Sequence, residues 1–395
     1  MRVRPIRIGY CLSLSGPLAS NGRSARLAHE IWQQDVNRKG GLLGRPVETI
    51  CIDDKTSPQN VPGIYQRLLD DERVDLIVGG YGDNSVAPAL PTVVERKRYF
   101  VALMALASNA SLNYASYFVM IPTGPRPSEG LTVGFFSLAA TQAPRPVTMA
   151  ILAADALFAK SPVEGANKQA RDQGFRIIFD DVYPLSTADF TPIIRSLKAL
   201  NPDILFLCSY LNDSVGILRA IDAVGLSPGI VGGAMIGPQN GSVKSDLGPL
   251  LNGVVNYEYW LPVPKMGYPG VSQMIEEYQA RAVSVGADPL GYYVAPQAYA
   301  QMQVVEQAIT GTGSLDDERL AQFTRENPFK TVVGDVKFGV GGRWTEARVL
   351  QVQYRHISGN DLSTFKDART QAVVWPTSLA SDTLIYPYAR AKCSS

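Results

Sequence analysis

The chain has two histidines and four cysteines in 395 residues, and a formal net charge of only +1. No apolar run approaches the roughly 18 residues needed to span a bilayer. Each shortage excludes something. Near-neutrality, with no basic cluster interleaved with aromatics, argues against a nucleic-acid partner. The missing apolar run argues against direct membrane insertion. Cys11, Cys51, Cys208 and Cys393 show no metal-ligand spacing. The first three sit in or at the end of apolar runs and read as buried thiols. A Cys11–Cys51 bridge would require their strands to be neighbours. His29, beside Glu30 and Trp32 in a predicted helix, reads as a packed or surface histidine, and His356 near a strand end has no evident partner. Hydrolase chemistry would need a GxSxG elbow, which does not occur. The first turn, "SLSGPLASNG", breaks the dinucleotide fingerprint at Pro17, and there is no phosphate-binding loop of the GxxxxGK type. No enzyme, metal or cofactor is expected.

What is present is a well-packed globular composition, 46% hydrophobic and 18% charged, at a length that suits two domains. Strands and helices alternate. "IRIGYCL" reads as a strand, followed by a loop and a helix that stops on Gly40-Gly41. "PVETICIDD" is a second strand, Val61 to Asp70 a helix, "VDLIVGG" a third strand, Val86 to Lys97 a helix, and "YFVALMAL" a fourth strand. A second alternation follows Pro122: "LTVGFFSLAAT" as helix, then "VTMAILAAD", "FRIIFDDVYP", "PDILFLCSY" and "GIVGGAM" as strands separated by helices, two of which close on Gly174 and Gly225. Two long helices are expected over 270–310 and strand character from 335 onward. Alternation of this kind predicts an α/β fold with two doubly wound parallel-sheet units in tandem.

In open sheets of this class ligands bind outside the carboxyl ends of the strands. The turns there carry small polar and aromatic residues: Ser13 to Pro17, Tyr81 to Ser85, Ala107-Ser108-Asn109, Phe158, Ser209 to Asp213, and Gly232 to Gly237. Tandem units with such turns suggest two lobes closing on one small molecule. Asp83 is the odd member. It either faces the solute, or caps the helix expected to begin near Ser85.

The opening "IRIGYCLSLSGPLASNGRSARLAHEIWQQDVNRKGGLLGRPVETICIDDKTSPQNV" is similar to the first strand, SGP turn, helix, N-x-x-GG stop and DD pair of the leucine/isoleucine/valine-binding family of type I periplasmic solute-binding proteins, receptors of ABC importers. The resemblance covers nearly all of the chain. It implies a periplasmic-binding-protein type I fold with discontinuous lobes, 1–122 plus 258–337 and 123–257 plus 338–395, joined by three hinge crossings near Pro122, Tyr257 and Phe338. It implies a ligand cleft between the lobes, a membrane permease as partner, a monomer, and a periplasmic location. The start "MRVRPIRIGYCLSLSG" has no apolar core of a signal peptide, so an export leader would be missing from this chain. The family's two carboxylate-holding positions fall on Asp83, with Asn84 beside it, and on Ser108, next to Ala107. Tyr210 matches its second-lobe tyrosine and Phe158 an aromatic position. The acidic residue that grips an ammonium falls on Ala234. With Tyr81 and Tyr257, and Trp260 nearby, these nine positions imply a site for a small organic solute, aromatic or an acid or amide, rather than a standard branched-chain amino acid. A cytoplasmic small-molecule sensor of the amide-responsive kind, built on the same fold, is the alternative.

Overall fold

The computed structural model describes residues 4–393. Along the chain, the first segment runs β1 (Ile6–Leu12), α1 (Ala19–Arg38), β2 (Val47–Asp53), α2 (Val61–Asp70), β3 (Leu76–Ile77), α3 (Asp83–Glu95), β4 (Phe100–Ala102) and β5 (Tyr117–Val119). The second runs α4 (Pro127–Ala140), β6 (Thr148–Ala154), α5 (Leu157–Gln173), β7 (Arg176–Tyr183), α6 (Thr191–Leu200), β8 (Ile204–Ser209), α7 (Leu211–Val224), β9 (Ile230–Met235), α8 (Gly241–Leu247) and β10 (Val255–Glu258). Then come α9 (Val271–Ala282), α10 (Ala295–Thr312), α11 (Asp317–Glu326), β11 (Phe329–Thr331) and β12 (Gly334–Val336), and finally β13 (Leu350–Tyr354), β14 (Gln371–Trp375) and α12 (Tyr388–Lys392).

The contacts gather these elements into two compact units, Met1–Pro125 with Met266–Ala347, and Arg126–Lys265 with Arg348–Ser395. The chain therefore changes unit after Pro125, Lys265 and Ala347, in each case later than the expected Pro122, Tyr257 and Phe338. The reasons are local. Tyr257 is inside β10, paired with Gln351 across the second unit's sheet. Phe338 packs its ring on Phe118 and Phe329, both in the first unit.

In the first unit β2, β1 and β3 pair in that order, parallel throughout. The Gly79 N–H donating to Val101 O (2.8 Å) and a parallel bridge from Tyr81 to Met104 carry the pairing on to β4, which is parallel to β5. The second unit holds a seven-stranded sheet, β14-β13-β10-β9-β8-β6-β7. Its five strands β6 to β10 are mutually parallel, and β13 and β14 add antiparallel. The central strands read as continuous apolar runs because both faces are covered; every residue of β8 and β9 is buried.

Helix ends follow the predicted chemistry. The glycines closing α5 and α7, Gly174 and Gly225, take the left-handed conformation (φ 74° and 69°) that a side chain would strain. α4 begins earlier than expected, at Pro127, because proline at the first helical position loses no hydrogen bond. Cys11 and Cys51 do lie on neighbouring strands, but the register sets Cys51 opposite Tyr10 and Cys11 opposite Ile52. Side chains alternate along a strand, so the two thiols face opposite sides of the sheet, and both are free.

Candidate functional site

Doubly wound sheets leave a crevice where the strand order reverses, and in the first unit that point lies between β1 and β3. A crevice of about 10 Å³ lies there, lined by Ser13, Asp54, Thr56, Tyr81, Asn84 and Ser85 among others. Its walls are the loops that leave β1, β2 and β3. A glycine makes the approach possible: a Cβ on Gly80 would fall 2.3 Å from Cys11 O.

Aspartates organise these loops. Asp53 accepts from the backbone N–H groups of Leu14 (2.8 Å), Ser15 (3.3 Å) and Lys55 (2.8 Å), and from Ser15 Oγ (2.6 Å). Burial raises its pKa, and these hydrogen bonds outweigh burial, leaving the carboxyl below the usual range. Asp54 accepts from Ser13 Oγ (2.6 Å) and Thr56 N (2.8 Å). Asp83 accepts from Leu106 N (3.1 Å), Ala107 N (3.2 Å) and Ser108 Oγ (2.7 Å). The hydroxyl protons of Ser13, Ser15 and Ser108 are thus directed at carboxylates of the same unit.

This revises the expectation for Asp83. The helix begins at Asp83 itself, Gly82 occupies the cap position, and no side chain caps α3. The carboxylate instead reaches across to the loop after β4. Its place in the first helical turn, where the backbone dipoles favour negative charge, suits it to that role. Ser108 is held by that carboxylate, and Ala107 is exposed. Tyr81 is buried, and its hydroxyl meets that of Tyr293 at 3.2 Å with the rings edge to face.

In the second unit the corresponding edge carries rings. Phe158 in the first turn of α5 and Tyr210 at the cap of α7 stand 6.0 Å apart, edge to face. Tyr183, at the end of β7, donates its hydroxyl to Asp213 and packs on Phe190. Leu157, Val182 and Leu185 at the same edge are exposed. Ala234 is buried within β9, and Tyr257 is fully buried within β10 against Tyr259. The structure therefore brings Tyr81, Asp83, Asn84 and Ser108 together in one unit and Phe158 and Tyr210 together in the other, with Ala234 and Tyr257 inside strands.

Sequence reasoning missed Tyr293, Tyr183 as the partner of Asp213, and the part played by Asp53 and Asp54. The last pair had a signal: "DDKTS" is an aspartate-rich strand end, and aspartate in such turns accepts from the backbone two residues on, as Lys55 N and Thr56 N show. The other two partners are distant in sequence.

His29 is fully buried. Its Nε2 lies 2.9 Å from Gln301 Oε1, and Gln301 Nε2 donates to Gly79 O and Val101 O, so the ring braces α1 and α10 against β3 and β4. Burial pushes its pKa down to about 4. Among the described residues no group of three or more His, Cys, Asp or Glu side chains could hold a metal ion, and no helix is long and apolar enough to cross a membrane.

Comparison with known proteins sets this geometry in a family. A family model described as "Periplasmic binding protein" matches residues 5–355. A leucine-, isoleucine-, valine-, threonine- and alanine-binding protein of Pseudomonas aeruginosa is 23% identical over 343 residues, 87% of this chain and 88% of that protein. Among solved structures, an amino acid ABC transporter substrate-binding protein from Pseudomonas fluorescens Pf-5 superposes with a TM-score of 0.79 at 17% identity, covering 100% of both chains. A solute-binding protein from R. palustris, solved with benzoate, superposes with a TM-score of 0.73 at 14% identity, covering 89% of this chain and 93% of its own. The chain belongs to the periplasmic binding protein family.

Proposed function

We propose that the protein is the extracytoplasmic solute-binding receptor of an ABC importer of the branched-chain amino acid type, taking up a small organic solute without transforming it. One observation carries the reading: at the sheet's reversal point in the first unit the loops of three strands bring Ser13, Asp54, Tyr81 and Asn84 to one crevice. The match over residues 5–355 supports it, as do the relatives, one named for aliphatic amino acids and one solved with benzoate. The buried, braced His29 is in no position to act as a base on a solute. A permease is the partner, the periplasm the location, and a monomer the working state in this proposal. The strand-end loops of each unit are the candidate contacts, Tyr81, Asp83, Asn84 and Ser108 on one and Phe158 and Tyr210 on the other.

A thermal-shift screen over amino acids, aromatic acids and their amides tests it. A solute present at 100 times its dissociation constant adds about 2.7 kcal/mol of stability. One member or one chemical class should raise the melting temperature, with the solute recovered unchanged. A panel-wide null result, or conversion of the solute, would count against a receptor.

A further inference from the structure

Three donors converge on one carboxylate at the carboxyl edge of the first unit's sheet. Leu106 N, Ala107 N and Ser108 Oγ all point at Asp83. Such a fork of two amides and a hydroxyl is a ready receptor for a carboxylate from outside, and here the protein supplies that carboxylate itself. We infer that Asp83 is a specificity-determining residue, a built-in anion filling the donor nest of the β4 loop. The part of the solute that meets this loop is then a hydrogen-bond donor (hydroxyl, carboxamide or ammonium) and not a carboxylate.

The chemistry is direct. A carboxylate offers about four lone-pair sites, and three donors leave capacity for one more. All three partners are uncharged, so they stabilise the charge without cancelling it. An incoming carboxylate would find the amides and the hydroxyl taken and would meet a like charge at close range. A donor group meets neither obstacle. The neighbouring loops repeat the device, with Ser13 on Asp54 and Ser15 on Asp53, so their hydroxyl protons are engaged as well.

The choice of solute class rests on the receptor reading above; the filled nest does not. Two experiments separate them. In the first, Asp83→Ala empties the nest, and sodium acetate is the probe against a sodium chloride control. Acetate should raise the melting temperature of the variant saturably and leave the wild type unmoved; equal responses would overturn the nest. Should Asp83→Ala fail to fold, amide exchange on the wild type decides, because Leu106 and Ala107 must be protected, and free exchange of both in the folded protein refutes the assignment. In the second, calorimetry compares benzoate with benzamide and leucine with leucinamide. Wild type should favour the amide of whichever pair binds by at least tenfold, and Asp83→Asn should shrink that ratio at least tenfold. A preference for the acid, or a ratio that Asp83→Asn leaves alone, would overturn the solute class. Acetate uptake by the variant with no probe bound by either protein would sink that class together with the receptor reading, while the filled nest stood.

Discussion

The two units solve one end of their sheets alike and the other end differently. At the amino edge, Asp75 before β3 accepts from Arg7 N at the start of β1 (2.9 Å). At the same place in the second unit, Asp203 before β8 accepts from Val147 N (2.9 Å), Thr148 N (2.8 Å) and Thr148 Oγ (2.9 Å) at the start of β6. At the carboxyl edge the likeness ends. The first unit places Asp53, Asp54 and Asp83 there, each tied to a serine hydroxyl, and the second places the Phe158 and Tyr210 rings there with the Asp213 carboxylate, tied to the Tyr183 hydroxyl. Fixing where two strands start is a general need of the fold, so one device serves twice. Loops beyond the strand ends carry no such shared requirement and are free to differ with function.

The cores differ too, and the largest predicted effect comes from that contrast. The second unit buries an ion pair: Lys244 Nζ lies 3.5 Å from Glu258, both side chains fully buried, and donates to Gln371 at 2.6 Å. Lys244→Met would remove a fully buried cation from beside the buried Glu258 and should cost about 3–5 kcal/mol in urea unfolding. Adding Glu258→Gln should restore a good part of that loss. A single variant as stable as wild type would mean that the pair contributes nothing.

The first unit's counterpart is neutral. His29 titrates near pH 4 when folded against 6.5 as a free side chain, because burial disfavours the charged ring. The unfolded chain binds the proton more readily, so stability is fully present above about pH 6.5 and falls as the pH drops toward 4. The loss should be on the order of 3 kcal/mol. His29→Gln should flatten this slope between pH 6.5 and 4.5 in denaturation curves, while the double variant Lys244→Met/Glu258→Gln, which leaves no buried carboxylate at that site, keeps it in place. An unchanged slope in His29→Gln would show that other groups govern acid sensitivity.

How much of this was open to a reader of the sequence depended on range in the chain. Element type was legible wherever a local pattern decided it: the apolar strand "ILFLCS" and the glycine stops at Gly174 and Gly225 stand where periodicity and turn chemistry put them. β5, α8, β10, α11, β11, β14 and α12 were missed. β5 is three residues of "YFV" in a tyrosine-rich stretch, too short to show a period, and β14 is fixed by pairing with β13 rather than by its own pattern. At the candidate site, Tyr81, Asn84 and Ser108 could be placed on the sheet's carboxyl edge because strand-end turns are local features. Their partners could not: Tyr293 is more than 200 positions from Tyr81, and no local rule says that Asp83 reaches forward to the loop at Leu106. Proximity in sequence shows which residues sit on an edge, not where their hydrogen bonds go.

A smaller effect checks the likeness at the amino edge. Burial raises the pKa of Asp203, but its bonds to the backbone N–H groups of Thr148 and Val147 and to the Thr148 hydroxyl hold it below the usual range. Asp203→Ala should therefore cost about 2 kcal/mol. Asp75→Ala should lose stability in the same direction, with the ion pairs to Arg4 and Arg45 adding little because surface pairs are weak. If one substitution destabilises and its partner is neutral, the shared role is wrong.

The smallest effect probes the contrast at the carboxyl edge. Ser15→Ala removes one hydroxyl from Asp53 and leaves the bonds from Leu14, Ser15 and Lys55 N–H groups in place. One bond to a charged acceptor among several predicts a loss of about 1 kcal/mol at neutral pH. The sign with pH follows from the lowered carboxyl. A depressed acid contributes stability above its unfolded value, 3.8, and that contribution is lost as the pH falls through the folded value. The gap between Ser15→Ala and wild type should therefore close on acidification below about pH 4, since a protonated Asp53 gains little from the hydroxyl. Phe158→Leu on the other unit removes ring contact, worth about 0.5–1.5 kcal/mol, and involves no titrating group. Its gap to wild type should stay constant over the same range. Urea denaturation at pH 6 and pH 3 measures both, and a Ser15→Ala gap that holds or widens in acid would show that the serine serves the loop by packing rather than through the charge of Asp53.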